Sequence, residues 1–156
     1  VSILRAPGIY AGDRLPLERL HKRQPLLMEK DDVFTNHIPA DDLATACIAA
    51  LRWGRPNRVY NICDDSDLRM GDWYDKLADA FALPHAPRLP RSEAEQVLSP
   101  LQLSFMRESR RIGNARATRE LGLRLRYPTV DDGIRAIAHQ PREAHAVPLS
   151  PAWVRG

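Results

Sequence analysis

The first fourteen residues, Val-Ser-Ile-Leu-Arg-Ala-Pro-Gly-Ile-Tyr-Ala-Gly-Asp-Arg, constrain the fold of this chain more than any other stretch. Val1 to Arg5 is a short apolar run with β-branched residues, and Pro7, Gly8 and Gly12 punctuate the residues after it. That is the pattern of a buried strand emptying into a backbone-rich loop. A buried strand needs neighbours, so a sequence that opens on one is expected to supply the second half of a larger α/β unit.

Strand and helix signals alternate through the rest. Pro16 suits a first helical turn, and Leu15, Leu17 and Leu20 set against Arg14, Arg19, Lys22 and Arg23 predict an amphipathic helix over about 14–24. Val33 to Ile38 reads as a strand. Asp41 or Asp42 is expected to cap the next helix, whose apolar face of Leu43, Ala44, Cys47, Ile48, Ala50 and Leu51 is expected to be well buried. Arg58 to Cys63 reads as a strand, and the acidic turn Asp64-Asp65-Ser66-Asp67 leads to a helix over about 70–83 with Trp73, Leu77, Ala80 and Phe81 inward.

Residues 84–92, with Pro84, Pro87 and Pro90, read as an extended linker that either covers a cleft or merely connects. Asn114 is expected to cap a short helix ending at Gly122, and a last helix runs from Val130 to about His139. The repeated strand–helix order implies a parallel α/β domain over 1–140, followed by a Pro-containing tail over 141–156.

Of the 156 residues, 44% are hydrophobic and 28% charged. No apolar run approaches the ~20 residues of a membrane span. The apolar start is too short for a signal peptide and lacks a basic leader, and Cys47 and Cys63 make no disulfide framework, so the expectation is a cytoplasmic protein that does not engage membranes. No pair among the five histidines has ligand spacing, so no metal is expected.

The net charge of +3 rests on arginine, with Lys22, Lys30 and Lys76 the only lysines. Seven arginines lie between Arg107 and Arg126, opposed there by Glu108 and Glu120 alone. This is either a solvated helix face or a phosphate-recognising region. Nucleic acid is not the expected partner, because no aromatic residues interleave with the arginines as a single-strand platform needs.

Four short stretches, in order, resemble one family. Leu4-Arg5-Ala6-Pro7-Gly8-Ile9-Tyr10-Ala11-Gly12-Asp13-Arg14 is similar to the LRxxGIYGPGR motif of the extended short-chain dehydrogenase/reductases, the NAD(P)-dependent epimerase/dehydratase family. Asn36 to Ala44 resembles its NRIHVDDLA, and Val59 to Asp65 its VYNVxDD. Arg110-Arg111-Ile112-Gly113-Asn114, continuing through Glu120-Leu121-Gly122 to Tyr127-Pro128, resembles a C-terminal motif of one branch. The resemblance covers roughly residues 1–138. It implies the C-terminal part of a Rossmann-like parallel sheet with the small substrate-binding subdomain.

It also implies NAD or NADP as cofactor, with Pro7, Gly8, Ile9 and Tyr10 against its nicotinamide end. Arg14, Asn36, His37 and Arg111 become the expected substrate-binding residues, the substrate being a small molecule such as a nucleotide sugar. Arg14 reads equally as a helix-start arginine. His37 and Pro39 replace the family's arginine and histidine, and Asp41-Asp42 is accounted for by helix capping.

Two family features are missing from the sequence. There is no GxxGxxG loop for the pyrophosphate, and residues four beyond Tyr10, Tyr60, Tyr74 and Tyr127 are Arg14, Asp64, Ala78 and Asp131, so no Tyr-x-x-x-Lys pair exists. No catalytic residue is therefore assigned, and the isolated chain is expected to be inactive. Two function classes remain: the substrate-binding portion of an NAD(P)-dependent epimerase, dehydratase or related oxidoreductase, or a non-catalytic ligand- or partner-binding module of the same descent. Exposed apolar strands lead to an expectation of self-association or pairing with the missing N-terminal half.

Overall fold

The computed structural model describes residues 1–139, and the expected tail over 141–156 lies outside them. In chain order the elements are β1 (Ser2–Arg5), β2 (Gly8–Tyr10), α1 (Leu17–His21), β3 (Leu26–Leu27), β4 (Phe34–Thr35), β5 (His37–Pro39), α2 (Ala40–Trp53) and β6 (Arg58–Asn61). After these come β7 (Leu68–Arg69), α3 (Met70–Ala80), β8 (Arg88–Leu89), α4 (Arg91–Val97), α5 (Pro100–Phe105), α6 (Ala115–Leu121) and α7 (Val130–Ala138).

The expected parallel α/β organisation is present. β1 pairs with β6, Ser2 opposite Arg58 through Arg5 opposite Asn61, and β2 pairs with β5, Gly8 opposite His37 through Tyr10 opposite Pro39, both in parallel. Parallel strands need a crossover, and α2 leads from β5 back to the start of β6. β3 and β8 are also parallel, whereas β4 and β7 run antiparallel.

Burial divides between two apolar clusters. One surrounds α3 and holds Leu20, Leu27, Trp73, Leu77, Met106 and Ile134. The other lies between α2, β6 and α6 and holds Ile38, Ala46, Tyr60, Ile62, Ala117 and Leu121. The chain passes between them five times: between Leu4 and Tyr10, Leu27 and Ile38, Ile62 and Leu68, Met106 and Ala117, and Leu125 and Val130. Among the described residues no helix is long and apolar enough to cross a membrane.

Several local expectations need correction. The stretch 33–38 forms two strands instead of one, because Asn36 turns its side chain to the 110–112 segment while β4 pairs with β7 and β5 with β2. The helix expected over 14–24 is confined to Leu17–His21, and Arg23 at φ 48 lies beyond the helical region. The expected inner face of α2 is only partly inward: Leu43 and Ala50 pack half-buried against the second cluster, whereas Ala44 and Cys47 are exposed, Ile48 is 55% exposed and Leu51 89%. Ala46 and Ala49 face inward instead, since α2 lies close to α6 and β5, where small side chains fit.

Ala80 is exposed because α3 ends there, with Phe81 half-buried. Residues 91–92 begin α4 and are not linker, and Arg88–Leu89 within the expected linker pairs with β3. Helices α4 and α5 carry no expectation from the sequence pattern. A capping box starts α5, the Gln102 N–H donating to Ser99 Oγ (3.3 Å) and the Ser99 N–H to Gln102 Oε1 (3.0 Å). Gly122 closes α6 at φ 63, as its position after a helix predicts.

Candidate functional site

β1 and β6 end side by side at Arg5 and Asn61, where the Ile62 N–H donates to the Arg5 carbonyl (2.9 Å). In open parallel sheets ligands lie beyond the carboxyl ends of the strands. Three loops gather at this place: residues 6–7 between β1 and β2, residues 62–67 after β6, and the approach to β5 at Asn36. The Gly8 N–H donates to the Asn36 carbonyl (3.1 Å) and the Asp64 N–H to the His37 carbonyl (2.9 Å).

A fourth segment, 110–114, is bound on by side-chain amides. Asn36 Nδ2 donates to the Arg110 carbonyl (2.6 Å), and the Ile112 N–H donates to Asn36 Oδ1 (3.0 Å). Asn114 Nδ2 donates to the Cys63 carbonyl (2.9 Å) and to Asp65 Oδ1 (2.8 Å). Asn114 therefore does not cap α6 with its side chain as expected, because its amide is committed to the 63–65 loop. Between the 64–67 loop and the 111–114 segment lies a shallow cleft of about 400 Å³, with Asn36 at its side.

Of the residues expected against a cofactor, Pro7 is half-buried and Gly8 and Ile9 are exposed at the edge of this region. A Cβ on Gly8 would stand 2.8 Å from His37 Nδ1 and 3.3 Å from the Asn36 carbonyl, so glycine allows β2 to lie against His37. Tyr10 is different. It is 2% exposed, its ring packs edge-on to Trp73 at 5.2 Å, and a Cβ on Gly133 of α7 would stand 2.8 Å from its Cζ. Burial, reinforced by the Asp64 carboxylate, drives its phenol pKa upward. Tyr10 is thus a core side chain rather than one presented to a ligand.

Of the expected substrate residues, Asn36 and Arg111 share the cleft, and Arg14 and His37 do not line it. Arg14 is exposed in the turn before α1, and no hydrogen bond or ion pair joins its side chain to Asn36, His37 or Arg111 among the described residues. His37 is 7% exposed and stacks on Trp73, centroids 4.0 Å apart at 19°. Burial holds its imidazole down to about 4, so it is neutral at pH 7 and sits in the core seam, not on a substrate face. Thr35 Oγ1 and His37 Nε2 lie 3.2 Å apart, within hydrogen-bond reach.

Arg111 does reach the cleft, but its charge is engaged. Its Nε donates to Asp67 Oδ1 (2.8 Å), its second nitrogen bonds Asp67 Oδ2, and the guanidinium lies 4.7 Å from the centroid of the Phe34 ring. The neighbouring arginines are dispersed too. Arg110 pairs with Glu108 at 2.7 Å, Arg116 donates to the Val59 carbonyl (2.8 Å), and Arg126 lies over Tyr127. The run from Arg107 to Arg126 therefore does not form one basic face.

Two carboxylates stand out in roles that their motifs do not signal. Asp42 is 1% exposed and accepts from the Arg126 N–H (2.7 Å) and the Tyr127 N–H (3.0 Å); it clamps the approach to α7 and does not cap α2. Asp64, 4% exposed, accepts from the Ser66 N–H (3.0 Å) through Oδ1, while Oδ2 is buried with no partner among the described residues. Desolvation raises its pKa to about 6. The Asp-Asp-Ser-Asp spacing signals a turn but not which carboxyl is buried, since burial depends on the distant 110–114 and 126–128 segments.

No protein-family model and no curated protein matches the chain. Solved structures do. A functionally unknown conserved protein from Silicibacter pomeroyi is 31% identical over 87% of this chain and 48% of its own, with a TM-score of 0.77. A human epimerase family protein with NADPH is 16% identical over 88% of this chain and 48% of its own (TM-score 0.70). UDP-glucose 4-epimerase with UDP-glucose from Thermotoga maritima is 16% identical over 88% and 44% (TM-score 0.63). The chain thus spans about half the length of the structures it matches.

Proposed function

From a chain with the fold of the C-terminal half of the NAD(P)-dependent epimerase/dehydratases, we propose that these residues form the substrate-side portion of a nicotinamide-dependent oxidoreductase or epimerase. Its substrate would be a small carbonyl or alcohol compound of the class that includes nucleotide-linked sugars. The observation that carries this reading is that, beyond the paired ends of β1 and β6, the exposed Gly8 bonds the backbone of Asn36, which itself lines the polar cleft.

Pro7, Gly8 and Ile9 fit the flat end of such a cofactor: they offer strand backbone with no side chain at Gly8 to hold a ring off, while the phenol of Tyr10 is turned inward. These residues would hold that end of the cofactor, whose chemistry, when bound, would be hydride exchange with a substrate carbon. The chain's own part is positional. Asn36 and Asn114 fix the cleft walls by bonding backbone on both sides, and Asp65 and Asp67 line its mouth.

Proton transfer has no tyrosine–lysine pair within these 156 residues, so in this reading the chain binds but does not turn over alone. Ile3 on β1 is 50% exposed, and among the described residues β1 has only β6 as a neighbour. That free edge suits pairing with a cofactor-binding half, and a cytoplasmic setting belongs to the same proposal. The test is a two-dimensional NMR titration of the chain with NADPH. Shifts centred on the Gly8, Ile9 and Asn36 amides are expected; a spectrum unchanged at those amides up to the solubility limit of the nucleotide overturns the reading.

A further inference from the structure

Helix α2 is apolar on two sides. Ala46 and Ala49 are buried against the second cluster, while Ala44, Cys47, Ile48 and Leu51 are all exposed on the outer side. The spacing of these four puts them on one stripe within about 100° of arc, and a helix that is apolar on opposite sides is one that is covered on both. The ends of the stripe carry opposite charges: Asp41 stands at its N-terminal end and Arg52 at its C-terminal end, both exposed and neither in an ion pair among the described residues. Counted from Ala44, Asp41 and Arg52 lie about 60° and about 80° round the helix in the same sense, so both sit on one flank of the stripe.

We propose that this stripe is a self-association surface, on which α2 of a second copy of the chain lies antiparallel. The pattern is its own complement when reversed. A two-fold axis between Cys47 and Ile48 sets Ala44 opposite the second copy's Leu51 and Cys47 opposite the second copy's Ile48, a small side chain against a large one at each level. The same axis brings the flank of one helix to the same flank of the other, so that Asp41 comes within one helical turn of the second copy's Arg52, twice over. A parallel pair would set like charges together, and a partner of unrelated sequence would not require the reversed match of size and charge. The 14 residues of α2 run about 21 Å, and one helix face of that length covers less than the about 1,200 Å² at the low end of stable interfaces, so the association is reversible.

The test is sedimentation equilibrium of the full chain from about 10 μM to about 1 mM, the range suited to a contact of this size. A monomer–dimer equilibrium is expected within it. Asp41→Arg and Arg52→Asp should each weaken the dimer by about tenfold, because two exposed pairs turn from attraction to repulsion. The double variant should restore it, which only the antiparallel register allows. Leu51→Lys, at a position 89% exposed in the monomer, should abolish the dimer without touching the fold. Mild oxidation should join the copies through Cys47, beside the axis, and Cys47→Ser should prevent this, since Cys63 is buried. A monomer across the whole range overturns the proposal. So does a dimer that Leu51→Lys leaves intact or that the double reversal fails to restore, either of which gives the stripe to another occupant such as a cofactor-binding half.

Discussion

Replacing Asp42 with alanine separates two accounts of one carboxylate. As a helix cap near the start of α2, Asp42 would be worth about 1 kcal/mol, and its loss would be felt at the first amides of that helix. In the structure its two oxygens accept from the Arg126 and Tyr127 N–H groups at 2.7 and 3.0 Å, and the side chain is fully buried. Hydrogen bonds to a charged group contribute about 1.5–3 kcal/mol each, so two give roughly 3–6 kcal/mol, from which the desolvation of the carboxylate takes back a part.

A net loss of about 2–4 kcal/mol is expected for Asp42→Ala, or roughly 6–12 °C in Tm for a domain of this size. Asp42→Asn retains one acceptor and should fall between wild type and alanine. The assay is urea unfolding together with amide hydrogen exchange. Loss of protection should appear at Arg126, Tyr127 and the start of α7. A loss below about 1 kcal/mol, with exchange altered only over residues 40–43, refutes the clamp and restores the cap.

Gly8→Ala puts a methyl 2.8 Å from His37 Nδ1, against a ring already stacked on Trp73. Destabilisation of about 1–3 kcal/mol is expected in urea unfolding, with a changed Trp73 fluorescence; an unperturbed midpoint would show that the contact relaxes freely. Between pH 4 and 6, Asp64 and His37 should oppose each other. Asp64, raised to about 6, binds a proton in the folded state that it lacks unfolded, so its contribution falls as pH rises through this window. His37, lowered to about 4 from 6.5, is protonated more readily unfolded, so its contribution rises over the same window. Asp64→Asn should therefore expose a stability that increases with pH, and His37→Gln one that decreases; parallel profiles for the two variants would contradict both assignments.

The strand–helix alternation was legible because each element carries its own period and punctuation. β1, β6, α3 and α7 lie close to where the apolar pattern puts them, and Gly122 ends α6 as its place predicts. What escaped was set by distant partners. Periodicity showed that α2 has an apolar face but could not say that the alanine face, not the face of Ile48 and Leu51, would meet α6. Asn36 looks like a ligand residue in the motif, yet its amide bonds residues more than seventy positions away. Tyr10 closes a loop motif in sequence but closes the core in space, because β5 and α7 cover it. Local patterns reveal elements; pairings between far segments decide which polar side chains are free for a ligand.

The cleft lies where the two apolar clusters meet, and that position explains its chemistry. A seam between cores is lined by the loops that cross it, and their backbone groups need partners wherever water is excluded. Asn36, Asp42 and Asn114 meet that need, tying 110–114 and 126–127 to the strands. The same bonds commit the side-chain amides of Asn36 and Asn114, and Asp64, Asp65 and Asp67 lie along the lining. Arg111 then serves to hold Asp67 and cover Phe34 rather than to wait for a phosphate. Removing it by Arg111→Ala would leave Asp67 uncompensated, so the cleft would become more acidic while losing its single cation. The electrostatics of the cleft are thus tied to the way the two apolar clusters are joined.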